Sequence, residues 1–104
     1  MQAVLDAIAT PRRREILQLV WDTELTAGQI AANFDVSWPA ISQNLRVLRE
    51  AGIVTERRDG NRRLYRANES ALGSLTSVLH QMWATDVDSL KRAVERDSGS
   101  GADG

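Results

Sequence analysis

The sequence predicts a mainly α chain with a two-stranded β-wing, its elements running α-α-α-α-β-β-α through one unit, residues 1–96. Three observations predict it. Apolar residues recur at spacings of three and four from the start of the chain to about residue 51. Strand-like runs then flank the turn-forming triplet Asp59-Gly60-Asn61. Helical spacing returns from Glu69 onward.

Taken in order, Val4, Leu5 and Ile8 give Gln2 to Ala9 one apolar face, enough for a short first helix. Thr10-Pro11 reads as a boundary, because threonine caps helices and proline is tolerated at the first helical position. Arg12 to Trp21 then aligns Ile16, Leu17, Val20 and Trp21. Thr26 is a good cap for a third helix, Ala27 to Phe34, with Ile30, Ala31 and Phe34 turned inward. Asp35-Val36-Ser37 makes a tight turn into the helix 37–51, where Ile41, Leu45 and Leu48 form the buried stripe and Gly52 a left-handed stop. The wing, 53–67, follows as a hairpin with a basic edge and tip. A long last helix is expected from Glu69 to about Arg96, and a disordered Ser/Gly/Asp-rich tail over 97–104.

Composition narrows the function classes. A chain of 104 residues fits one domain and builds a modest core, which pairing with a second copy would reinforce. With no cysteine, disulfides and thiolate metal sites are excluded. No apolar run approaches membrane-spanning length and the start lacks a signal peptide's pattern, so a cytoplasmic protein with no membrane partner is expected. One histidine, no glycine-rich phosphate loop and no recognisable carboxylate pair argue against an enzyme. The net charge of −1 hides an uneven distribution. Seven arginines face three acids between Ser37 and Arg66, a local +4 on an acidic body. That pattern suits a DNA partner as well as a solvated face.

Two short helices joined by a tight turn, Thr26 to Glu50, followed at once by a basic hairpin, make a winged helix-turn-helix. With Ile41, Leu45 and Leu48 inward, the residues left outside are Ser37, Trp38, Pro39, Ser42, Gln43, Arg46 and Arg49. The front of such a helix meets base edges in the major groove. Gln43 can pair with adenine and Ser42 can donate or accept. Trp38 and Pro39 offer apolar contact to a thymine methyl, though Trp38 equally suits a cover over the helix start. Arg46 and Arg49 lie further along, placed for phosphates or for helix-surface pairs with Glu50 and its neighbours. Arg57, Arg58, Arg62 and Arg63 on the wing reach toward the flanking backbone, and Tyr65 reads as a packing residue.

Here the chain resembles the ArsR/SmtB family of bacterial winged-helix repressors over nearly its whole length. Thr10 to Leu17 is similar to the family's opening stretch, Leu25 to Ala31 to its first helix-turn-helix element, and Arg57 to Tyr65 to its wing. Val36 to Val54 is the most specific match. The resemblance implies a dimeric repressor bound to double-stranded operator DNA. Asn44 stands where the family often has histidine. The third-helix cysteines of metal-sensing members have no counterpart in Leu25 to Ile30. A zinc site between paired last helices would have only His80, with Asp86 and Asp88, to draw on, a poor donor set for a borderline metal. No metal and no cofactor is therefore expected.

The last helix carries an apolar stripe too long for a small winged helix to cover. Leu75, Leu79, Met82, Trp83, Val87 and Leu90, with Val4, Leu5 and Ile8 of the first helix, are expected at a homodimer interface. Two alternatives stay open: a winged helix used for protein interaction, and a repressor that answers to a metal or a small molecule near Met82 and Trp83. The first would favour an acidic or apolar recognition helix, where Arg46 and Arg49 stand instead.

Overall fold

The computed structural model describes residues 2–84, and the chain divides into two units between Gly73 and Ser74. The expected tail 97–104, and Asp86, Val87, Asp88 and Leu90, lie outside the described residues. In the first unit the order is α1 (Gln2–Ile8), α2 (Pro11–Leu19), β1 (Leu25–Thr26), α3 (Ala27–Ala31), α4 (Trp38–Glu50), β2 (Val54–Asp59), β3 (Arg62–Ala67) and α5 (Glu69–Leu72). Residues 75–84 of the second unit are helical.

Each helix begins where its sequence dictates. Pro11 occupies the first turn of α2, where its missing N–H costs nothing. Thr10 does not cap that helix as expected, because its hydroxyl accepts instead from Arg13 Nη2 at 2.7 Å. Arg13 and Arg14 spend their guanidinium groups on the carbonyls that end α1: Arg13 donates to Ala7 O at 2.7 Å and Asp6 O at 3.1 Å, Arg14 to Ile8 O at 2.8 Å. At α3 a capping box forms, Thr26 Oγ1 accepting from Gln29 N while Gln29 Oε1 accepts from Thr26 N. That helix stops at Ala31, short of the expected Phe34, whose ring is half-exposed beneath the Arg12 guanidinium at 4.7 Å. Ser37 caps α4 by accepting from Ala40 N at 3.3 Å.

The core is the one the periodicity marks. Ile16, Leu17, Ile30, Ile41 and Leu48 are fully buried, with Leu45, Ile53 and Val54 beside them. Ala31 is small enough to be buried where α3 and α4 meet. Gly52 takes a φ of 81° and turns the chain out of α4 into the hairpin. The hairpin loop is Gly60-Asn61, with only Gly60 at positive φ (65°), the pattern of a type II′ turn.

Two features depart from the expected order. The sheet has three strands, in the order β1-β3-β2, because Leu25 and Thr26 pair with Tyr65 and Leu64. The expected single helix from Glu69 is interrupted: α5 ends after one turn, where Gly73 takes a φ of 54°. In the second unit Leu79 and Trp83 are buried, while Val78 and Met82 are exposed and His80 meets Trp83 edge-on at 5.4 Å.

Candidate nucleic-acid interface

Helix α4 buries Ile41, Leu45 and Leu48, half-buries Ala40, Asn44 and Val47, and leaves its other residues outside. Ser37, Trp38, Pro39, Ser42, Gln43, Arg46 and Arg49 are all exposed, so the whole expected set shares the outer side of one helix. Among the described residues the Gln43 side chain has no hydrogen-bond partner, which leaves its exposed amide available to an outside group. Trp38 is 60% exposed, yet its ring is not loose. It lies over the start of α3, where a Cβ on Gly28 would stand 2.8 Å from Trp38 Cζ2. The ring covers a helix start, that of α3 and not that of its own helix, and leaves an apolar surface exposed near Ser42.

A cleft of about 510 Å³ opens there, between Thr26, Ala27 and Gly28 of α3's start, Trp38 and Ser42 of α4, and Asn61, Arg62, Arg63 and Tyr65 of the hairpin. It is an open groove lined by hydroxyl-bearing, aromatic and arginine residues.

The hairpin register divides the wing arginines into two groups. Side chains alternate along a strand, and directly opposed residues share a face. Glu56 opposes Tyr65 and Arg58 opposes Arg63, and these four share the face turned to α4. Arg57 opposes Leu64 and Asp59 opposes Arg62 on the other face. There Arg57 grips Glu24 with two hydrogen bonds, 2.9 and 2.7 Å, tying β2 to the segment before β1. These bonds first, and the Arg57 charge after the opposing effect of desolvation, hold the Glu24 carboxyl below its ordinary pKa.

Toward α4, Glu56 Oε2 accepts from Arg49 Nη1 at 2.9 Å and from Tyr65 Oη at 3.1 Å, with Arg63 Nη1 at 3.8 Å. Burial, then the hydrogen bond to Glu56, then its negative charge, raise the Tyr65 pKa. Arg46 pairs with Glu50 at 3.2 Å and Arg62 with Asp59 at 3.4 Å, both with highly exposed partners. Such pairs contribute little and open readily. Among the described residues Arg58 makes no ion pair, and it stands directly across from Arg63. Like charges so placed repel unless an anion comes between them.

The sequence profile of the bacterial regulatory proteins of the arsR family matches residues 10–56, which contain α2, α3, α4 and the start of the wing. The transcriptional repressor SdpR of Bacillus subtilis (strain 168) is 39% identical over 72 residues, 69% of this chain and 80% of its own. The chain belongs to the ArsR family. Solved structures agree with this regulator's fold. A possible transcriptional regulator for arsenical resistance is 42% identical, with a TM-score of 0.65 over 86% of this chain and 93% of its own. The homodimeric winged helix-turn-helix DNA-binding domain of a possible ArsR-family regulator from Mycobacterium bovis is 27% identical. Its TM-score is 0.68, over 84% of this chain and 78% of its own.

Sequence reasoning passed over three residues of this ArsR-family site. Gly28 was the small residue in a helix start, where only the neighbouring tryptophan reveals its use. Glu24 and Glu56 meet their arginines only in the fold, Glu24 with Arg57 of β2 and Glu56 with Arg49 of α4. Strand alternation across Glu56-Arg57-Arg58 offered the one usable signal, placing Glu56 and Arg57 on opposite faces.

Proposed function

We propose that this ArsR-family regulator is a sequence-specific repressor that binds a palindromic operator as a homodimer in the cytoplasm, with no catalytic activity. The helix 37–51 enters the major groove and the wing 53–67 lies along the backbone. The observation that carries this reading is the outer face of α4: exposed Trp38, Ser42 and Gln43 at the front, arginines behind. Gln43 suits the adenine edge, Trp38 a thymine methyl. Arg46, Arg49, Arg58 and Arg63 suit phosphates on either side of the groove, which fix register. Arg57 and Arg62 have partners on the wing's far face, and they reach flanking phosphates only after leaving Glu24 and Asp59.

The exposed Leu5, Val78 and Met82 favour a second copy as partner, and the M. bovis relative is named as homodimeric. A chain with no cysteine and one histidine favours repression that does not depend on a metal. The test is binding to the duplex upstream of the protein's own gene, across a salt series, with and without zinc or nickel. Tight binding that falls steeply with salt, ignores metal and drops at least tenfold in Gln43→Ala is the expected result. Release by metal would replace the effector part of the reading. Absence of binding at low salt would overturn autoregulation at that operator.

A further inference from the structure

We propose that Glu56 is an internal stand-in for a backbone phosphate. In the free protein its carboxylate holds Arg49 and Arg63 in the positions from which they grip the duplex. It thereby sets how readily the regulator binds DNA of arbitrary sequence. The inference rests on the DNA-binding reading above and assigns Glu56 a role in the specificity of that same site.

The geometry singles Glu56 out from the other acids near the site. Glu50 meets Arg46 one turn away and Asp59 meets Arg62 across the hairpin tip, local pairs with both side chains more than half exposed. Glu56 alone gathers three groups from two other elements on a single oxygen: Arg49 from the end of α4, Tyr65 and Arg63 from β3. A phosphate oxygen accepts from the same donors in the same way. The depths differ in the sense the role requires. The Glu56 side chain is 24% exposed against 43% for Arg49 and 55% for Arg63, so the carboxylate sits beneath guanidinium groups that face solvent. A duplex approaching from outside meets those arginines before it meets the acid.

The consequence is a competition. Counterion release, the main driving force for sequence-independent binding, scales with the number of phosphates neutralised. Arginines already answered by a carboxylate contribute less to it. Two arginines thus share the Glu56 carboxylate, and register places Arg58, which makes no ion pair among the described residues, on the same face. Glu56 therefore lowers affinity for any duplex. Only a site that also satisfies Gln43 and Trp38 offsets the loss.

The test compares the whole protein with Glu56→Gln, Glu56→Asp and Glu15→Gln. Glutamine keeps the length and an acceptor oxygen for Tyr65 and Arg49 but removes the charge. Aspartate keeps the charge and withdraws it by one methylene. Glu15→Gln makes the same charge change at an exposed position of α2. Two readouts are taken: the salt at which each elutes from phosphocellulose, and the salt dependence of binding to a duplex of arbitrary sequence. Glu56→Gln should elute later than the wild type and Glu15→Gln, with Glu56→Asp shifted the same way by less. Its plot of log K against log salt should steepen by about 0.9–1.8, one phosphate contact or two. Elution of both Glu56 variants with the wild type or earlier, or an equal shift in Glu15→Gln, would overturn the proposal. Later elution from phosphocellulose in a protein that binds no duplex would sustain it and overturn the DNA reading instead.

Discussion

Glu24 illustrates at the scale of one residue how charge placement in this regulator departs from charge count. Read in sequence, it is one acid in the break between two helices; in the fold it is the partner of Arg57, thirty-three residues away. A carboxyl whose folded pKa is depressed contributes stability above its unfolded pKa, and that contribution is lost as pH falls through the folded value. The window for Glu24 thus opens below the ordinary glutamate pKa of about 4.3 and extends downward. Thermal unfolding of the wild type and Glu24→Gln at pH 6, 4 and 3 should show two curves that converge on acidification. The wild type loses more of its melting temperature than the variant. Parallel losses would mean the pair adds nothing in solution, the common fate of exposed ion pairs.

At the scale of elements, the helix-turn-helix was legible because each piece of it is written locally. Ser37, Pro39 and the stripe Ile41-Leu45-Leu48 declare α4 without help from the rest of the chain. Replacing Ser37 by alanine removes the oxygen that satisfies Ala40 N, which costs about 1 kcal/mol for an N-cap. In a domain of this size that lowers the melting temperature by roughly 4–8 °C, measurable by circular dichroism. No change would mean that water replaces the hydroxyl at the exposed α4 start. The hairpin was legible for a similar reason, since Gly60 supplies the positive φ its loop demands. β1 was not, because two residues carry no period; Leu25 and Thr26 are strand only because β3 passes beside them. The division of the wing arginines needed register as well as alternation. The interruption at Gly73 was written as a lone glycine inside an otherwise helical pattern. Such a glycine is tolerated in many helices, so the pattern alone did not decide between continuing and stopping.

At the scale of the whole molecule, a net charge of −1 and a DNA-binding reading are compatible because the acids and arginines are sorted in space. The recognition face keeps arginines outermost, with Glu56 beneath. A single face of this kind offers few arginines to phosphates, so the proposed operator binding calls for two copies on one duplex. Joining two such faces makes the second binding step intramolecular and raises affinity by roughly 10²–10⁴ without a new contact. The apolar surface of α1 is one place where copies are expected to join. Leu5 is 42% exposed there, an apolar side chain open to a second copy. Glu substituted at Leu5 puts a charge into that contact while leaving α1's buried residues, Ala7 and Ile8, untouched. Sedimentation should find the wild type at about twice the chain's mass and Leu5→Glu at the chain's mass, both folded. Operator affinity of the variant should fall by the same two to four orders, whereas affinity for an isolated half-site should hold. A variant that remains dimeric would move the interface away from α1. A monomeric variant that keeps full operator affinity would show that one recognition helix and one wing suffice.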